Sequence, residues 1–209
     1  MVEATAMWTL VHEHRDRIGD LLAGLNEDDW RTESLAAGWS VHDMAAHLIE
    51  TQLMTPPVFI GRFIGSGFQF HKMSAKNIAR HSAESDAELL AQYRATAHRT
   101  SAPPGPKVTW LGEAVIHGED IALPTGKHID VNPQALTLVL DYAVKTTPLL
   151  HGKERSAGLK LRATDVDWSS GDGPEVSGPA ASLIIAISGR RAGLADLSGE
   201  GLETLRSRV

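Results

Sequence analysis

Apolar residues along the first 125 positions recur at helical spacing. Trp8, Val11, Ile18, Leu22 and Leu25 recur at intervals of three, four and seven, with Glu13, Arg17 and Asp20 between them, which predicts an amphipathic helix over residues 3–25. Asn26–Arg31 and Ala36–Gly38 carry turn chemistry. A second helix is predicted from Ser40, whose hydroxyl caps it while Asp43 closes a capping box; Val41, Met44, Ala45, Leu48 and Ile49 form its apolar face. Pro56 and Pro57 end it, because the residue before a proline avoids the helical region. Residues 58–80 are apolar but broken by Gly61, Gly65 and Gly67, a weakly specified helix. Residues 86–101 are amphipathic through Leu89, Leu90, Tyr93 and Ala97. Pro103–Pro106 reads as a loop, and Val108–Ala122 as a helix stopped by Pro124 and Gly126. Four main helices with short connections predict a bundle.

After Lys127 the pattern changes. Pro133 opens a helix predicted to reach about Leu150, and residues 159–168 (LKLRATDVDW) alternate as a half-buried strand does. SSGDGP is a turn cluster, and PAASLIIAIS a buried helix ending at Gly189. Leu194–Leu197 reads as a short strand, and Glu200–Val209 as a last helix. The expectation is an α+β, mainly α chain: a helical bundle over 1–128 and a small α/β domain over 129–209.

Charge and composition narrow the function. Twenty Lys and Arg against 26 Asp and Glu give a net charge of −6, with cations scattered, which argues against nucleic acid as a partner. No basic, apolar leader and no apolar run of about 20 residues is present, so the expected location is cytoplasmic, without membrane partners. Cysteine is absent, which removes disulfides, thiolate metal ligands and a protein thiol nucleophile. Ten histidines direct any metal reading toward imidazole and carboxylate.

Glu113 and His117 stand four apart on a predicted helix, hence on one face, beside Trp110, Ala114 and Ile121. A carboxylate pointing into a core needs a partner. His47 borders the apolar stripe of the second helix. Together they compose a His₂Glu set of the kind that holds catalytic zinc with one position open. The spacing alone equally allows a Glu–His ion pair tying two helices. Asp120, one turn after His117, is either an acceptor for the imidazole or a solvated helix-end residue. His42 falls on another face than His47. For His12, His14 and Arg15 a snorkelling surface placement is expected, with a cavity-lining role as the alternative. Arg190 ends the PAASLIIAIS helix, where a cation suits the helix dipole; its sharper role is to hold a substrate carboxylate. No phosphate loop, dinucleotide fingerprint or serine-hydrolase elbow is present.

The strings GWSVHDMAAHL (Gly38–Leu48) and WLGEAVIHGEDI (Trp110–Ile121) resemble the mycothiol-dependent maleylpyruvate isomerase family, a branch of the DinB-like metal-binding four-helix bundles. LRATDVDW (161–168), Gly178-Pro179-Ala180 and Ser188-Gly189-Arg190 resemble that family's C-terminal domain, whereas residues 55–105 match poorly. The resemblance implies a metal, zinc or another divalent ion, on His47, Glu113 and His117. It also implies mycothiol, a low-molecular-weight thiol, as cosubstrate. The expected activity is an isomerase or S-transferase in which the activated thiolate attacks a small electrophile, with Arg190 receiving an anionic substrate. A metal-dependent hydrolase and a non-catalytic metal- or ligand-binding protein are the alternatives, and monomer and homodimer are both open.

Overall fold

A computed structural model describes residues 4–147 and 150–209. The chain runs α1 (Ala4–Ala23), α2 (Glu27–Arg31), α3 (Val41–Leu53), α4 (Pro56–Gly65), α5 (Phe70–Ile78), a 3₁₀ turn (Ala79–His81), α6 (Asp86–Thr96) and α7 (Val108–Ala122). It continues through α8 (Pro133–Ala143), α9 (Gly152–Ser156), β1 (Lys160–Ala163), β2 (Ser169–Ser170) and β3 (Glu175–Gly178). α10 (Ala180–Ile187), a 3₁₀ segment (Arg191–Asp196) and α11 (Leu202–Arg206) complete it. The chain is thus mainly helical with a small sheet near its C-terminal end, as the sequence pattern predicts. Among the described residues no helix is long and apolar enough to cross a membrane.

The chain divides into two compact units, one comprising residues up to Trp110 with His117–Ile129, the other Leu111–Ile116 with Asp130–Val209. In the first, α3 packs against α5 and α6, and α1 against α6. Val11, Ile18, Leu22, Val41, Met44, Leu48, Ile49, Leu89, Tyr93 and Ile121 are buried there. The Tyr93 hydroxyl donates to the Arg15 carbonyl at 3.1 Å, so this large ring enters the core with its polar end satisfied. In the second unit β1 lies between β2 (antiparallel) and β3 (parallel), with Leu161 opposite Ser170 and Val176. α10 packs on β1 and α8 through an apolar run, Leu183–Ile187, that is buried throughout. The Asp165 carboxylate accepts from the Ala180 amide at 2.8 Å and so satisfies one free N–H at the start of α10.

Several elements differ from the sequence reading. Within the expected turn Asn26–Arg31, Glu27–Arg31 is a short helix, because Asn26 at its N-cap accepts from the Asp28 and Asp29 amides while Asp29 caps back. Residues 58–80 form two helices rather than one, joined where Gly67 and Phe68 take positive φ of 65° and 60°. The strand expected over 159–168 stops at Ala163, and Ser169–Ser170 from the expected turn cluster pair with it as β2. Leu194–Leu197 belongs mostly to a 3₁₀ segment. α8 ends at Ala143; the part of its expected extension at residues 148–149, like the expected start of α1 at residue 3, lies outside the described residues.

Candidate functional site

α3 begins where expected. Ser40 accepts from the Asp43 amide, and the Asp43 carboxylate accepts from the Ser40 amide and hydroxyl at 3.0 and 2.8 Å. This reciprocal cap fixes the first turn. Two turns on, His47 lies among Ala45, Ala46 and Leu48 and is 7% exposed.

The His47 ring meets the His117 ring edge-on, with centroids 5.1 Å apart and planes at 89°. Trp39, just before the cap, also meets this ring, with centroids 5.0 Å apart and planes at 47°. Burial, and after it the nearby His117, push His47 down to about 3, against a smaller upward pull from Asp120. His47 therefore presents a neutral imidazole at physiological pH.

His117 is held by Asp120, which is fully buried and whose carboxylate lies 2.8 Å from Nδ1. A carboxylate only accepts, so Nδ1–H donates, and the tautomer this selects is the one whose Nε2 carries the free lone pair. Of the two roles open to Asp120, acceptor and solvated helix-end residue, burial selects the first. The backbone carbonyl of Asp120 also accepts from the Leu35 amide at 3.2 Å, which ties this turn of α7 to the segment leading into Trp39.

Gly118 explains how α7 comes so close to α1. A Cβ there would stand 3.0 Å from His14 Nε2 and 3.3 Å from Ile129 Cδ1. His14 and Arg15, expected at the surface, are 2% and 3% exposed. Arg15 donates to the Ala97 and Arg99 carbonyls at 3.2 and 3.0 Å, and its guanidinium lies 5.8 Å from the Trp8 ring. Backbone carbonyls and an aromatic face thus accommodate a cation in a position where the helical stripe calls for an apolar residue. His12 stacks between Trp8 and His98, and His42 bonds to the Glu84 carbonyl at 3.0 Å, away from His47.

The other two candidates, Glu113 and Arg190, fall in the second unit. Glu113 lies one turn before His117 on α7, half-buried, in the Leu111–Ile116 stretch that clusters with the second unit. Among the described residues no group of three or more His, Asp or Glu is gathered closely enough to enclose a metal. Arg190, in the second unit, is half-buried and donates to the Ser188 carbonyl at 2.9 Å, so its observed bond is to the end of its own helix.

Two features escaped the sequence reading. The buried Glu50, one turn after His47, receives Arg62 of α4 and lies 3.3 Å from His81 Nε2. His81 Nδ1 reaches Glu84 at 2.9 Å, and Arg62 donates to Asn77 at 3.1 Å. This network anchors α4 and α5 to α3. Its local sequence signal is the i, i+3 spacing of His81 and Glu84; the Glu50 contacts join residues 12 and 31 positions apart. Glu119 is the second: burial pushes its carboxyl up to about 7, with His128 drawing it down and Asp120 raising it.

A mainly helical fold with a carboxylate-backed histidine pair in its bundle and a small α/β unit after it defines the class. The chain belongs to the family described as the mycothiol maleylpyruvate isomerase N-terminal domain, which it matches over residues 11–122, more than half its length. The fold is that of the crystal structure of the mycothiol-dependent maleylpyruvate isomerase, with a TM-score of 0.66 at 15% identity, covering 95% of this chain and 93% of that one. A histidine-to-alanine mutant of the mycothiol-dependent maleylpyruvate isomerase aligns with a TM-score of 0.65 at 14% identity and the same coverage. A comparison with curated proteins finds no match.

Proposed function

We propose that this chain is an enzyme that uses mycothiol, with a divalent metal ion of the zinc type, to isomerise a small electrophilic molecule. The observation that carries the reading is the His47–His117 pair, 5.1 Å between rings, with a buried carboxylate on one of them. Family membership and the fold shared with a mycothiol-dependent maleylpyruvate isomerase support it.

The residues present suit a metal by the chemistry of their donors. His47 is neutral, and the bond from Nδ1 of His117 to Asp120 leaves Nε2 as the donor, the usual arrangement behind a metal-bound imidazole. In the proposed set these two histidines are joined by Glu113. When bound, the ion supplies the positive charge that brings a thiol below its free pKa of about 8.5.

The chain's own residues account for the rest. With no cysteine in the sequence, the reacting sulfur comes from the cosubstrate. Trp39 packs its indole 5.0 Å from the His47 ring and restricts how it can turn, and Asp120 fixes the tautomer and tilt of His117. The thiolate adds to one carbon of a conjugated cis double bond, and the π pair moves onto the conjugated carbonyl. The former double bond, now single, rotates. Return of the electron pair expels the thiolate and restores the double bond in trans, so the thiol is regenerated. If sulfur stayed on the product, the same addition would make an S-transferase. Arg190 is the cation proposed to receive a substrate carboxylate.

The test is elemental analysis of the purified protein beside His47→Ala, Glu113→Ala and His117→Ala, with turnover of maleylpyruvate followed with and without mycothiol. About one ion per chain is expected in the parent and a loss of ten-fold or more in each variant, with turnover only when mycothiol is present. Full metal occupancy in all three variants would sink the ligand assignment. Thiol-independent cleavage of an ester or amide would move the function to a hydrolase.

A further inference from the structure

α4 and the turn after it form the most apolar exposed surface of the first unit. None of the residues of α4 is buried. Val58, Ile60 and Ile64 are 39%, 52% and 56% exposed, and Phe68, held at positive φ beyond the helix end, is 67% exposed. With Leu53 these make five of the six large hydrophobic side chains exposed among the described residues. Ile60, Ile64 and Phe68 are four apart, and a Cβ built at Gly61 or Gly65 would meet nothing within 4 Å. The face is therefore open along its length. Contiguous exposed apolar surface of this kind marks a binding face.

Charge selects its partner. Residues 51–83 contain Arg62, Lys72, Lys76 and Arg80 and no Asp or Glu, a charge of +4; Arg62 is paired with the buried Glu50 and Arg80 lies 3.8 Å from it, so Lys72 and Lys76 carry the unpaired part of this surface charge. The chain as a whole carries −6, so the remainder carries −6 − 4 = −10. Lys72, Lys76 and Arg80 recur every four residues along α5 and the 3₁₀ turn after it, and all three are exposed. Lys76 donates to the Gly65 carbonyl at 2.9 Å, which sets the cationic row at the C-terminal end of the apolar helix. A second copy meeting this face symmetrically would bring like charges together. An anionic bilayer offers both an apolar layer for Ile60, Ile64 and Phe68 and negative headgroups for the lysines.

We propose that the α4 face is a peripheral docking surface for membranes containing anionic phospholipid. Residues Ile60, Ile64 and Phe68 enter the interface, and Lys72 and Lys76 lie on the headgroups. This concerns surface attachment and is independent of the reaction at the histidine pair.

The experiment is co-sedimentation of the full chain with vesicles of phosphatidylcholine alone and of phosphatidylcholine with phosphatidylglycerol. Ile60→Ser/Ile64→Ser/Phe68→Ser and Lys72→Glu/Lys76→Glu are run beside the parent. Binding at least ten-fold tighter to the anionic vesicles, weakened by salt and by both variants while their helical circular dichroism is kept, supports the proposal. Equal association with both vesicle types, or none, overturns it. So does a dimer in light scattering that the serine variant dissociates without any vesicle binding, which would make the face a contact between copies.

Discussion

Two glycines show opposite consequences of the same missing side chain. At Gly118 an added Cβ meets His14 and Ile129 at 3.0 and 3.3 Å; at Gly61 it meets nothing within 4 Å. Gly61→Ala is therefore expected to raise stability by about 0.5–1 kcal/mol, the helix preference of Ala over Gly. Gly118→Val is expected to lower it by about 1–3 kcal/mol, because both neighbours are buried and yield little. Paired chemical denaturation measures both, and a neutral Gly118→Val would show that α1 and α7 do not meet there as closely as described. Asp120→Asn probes the same turn from the polar side. Loss of the carboxylate behind His117 is expected to weaken metal binding by roughly ten- to a hundred-fold, read by titration with zinc under competition. Unchanged affinity would leave Asp120 a purely structural acceptor.

At the scale of elements, what was legible in the sequence follows from whether the signal is local. The Ser40–Asp43 box and Pro56 bracket α3, and both work through backbone groups within one turn, so the helix that carries His47 was readable with its cap. Ser40→Ala is expected to cost about 1 kcal/mol, or roughly 2–4 °C in melting temperature for a chain of this size, measured by calorimetry. An unchanged midpoint would mean that packing alone holds the start of α3. The Asn26–Asp29 box is equally local, yet the helix after Asn26 has only five residues, too few for a helical period to stand out from turn chemistry. Residues 58–80 are only weakly specified because glycines interrupt an apolar stretch; the chain there makes two helices, and the apolar residues of α4 stay outside the core. The burial of His14 and Arg15 was invisible because it depends on carbonyls more than 80 positions away, on Ala97 and Arg99, and on a glycine of α7. The candidate site was half legible. The motif strings located His47 and His117, and their resemblance pointed to a metal, but only the fold puts the two rings side by side and the Asp120 carboxylate on Nδ1.

For the whole molecule, His12 ties stability to pH on the acid side. His12, stacked between Trp8 and His98, is held below its ordinary value of 6.5, chiefly by burial, with a carbonyl bond from Arg99 pulling the other way. A histidine that titrates lower in the folded chain takes up its proton first in the unfolded one. Its contribution is thus complete above pH 6.5 and is lost as the pH falls from there toward the folded value. Melting temperature is expected to fall with acidification below pH 6.5, and His12→Phe to flatten part of that fall; an unaltered slope would remove His12 from the account.

Trp39 gives the chain an optical property that follows directly from its place 5.0 Å from His47. Of the five tryptophans, at 8, 30, 39, 110 and 168, this one shares a wall with the imidazole pair. A change in charge or ligation at His47 alters the field across the indole ring, and with it the wavelength and yield of its emission. A chain with the other four converted to phenylalanine would carry a single intrinsic fluorophore reporting, without any label, when something arrives at the two histidines.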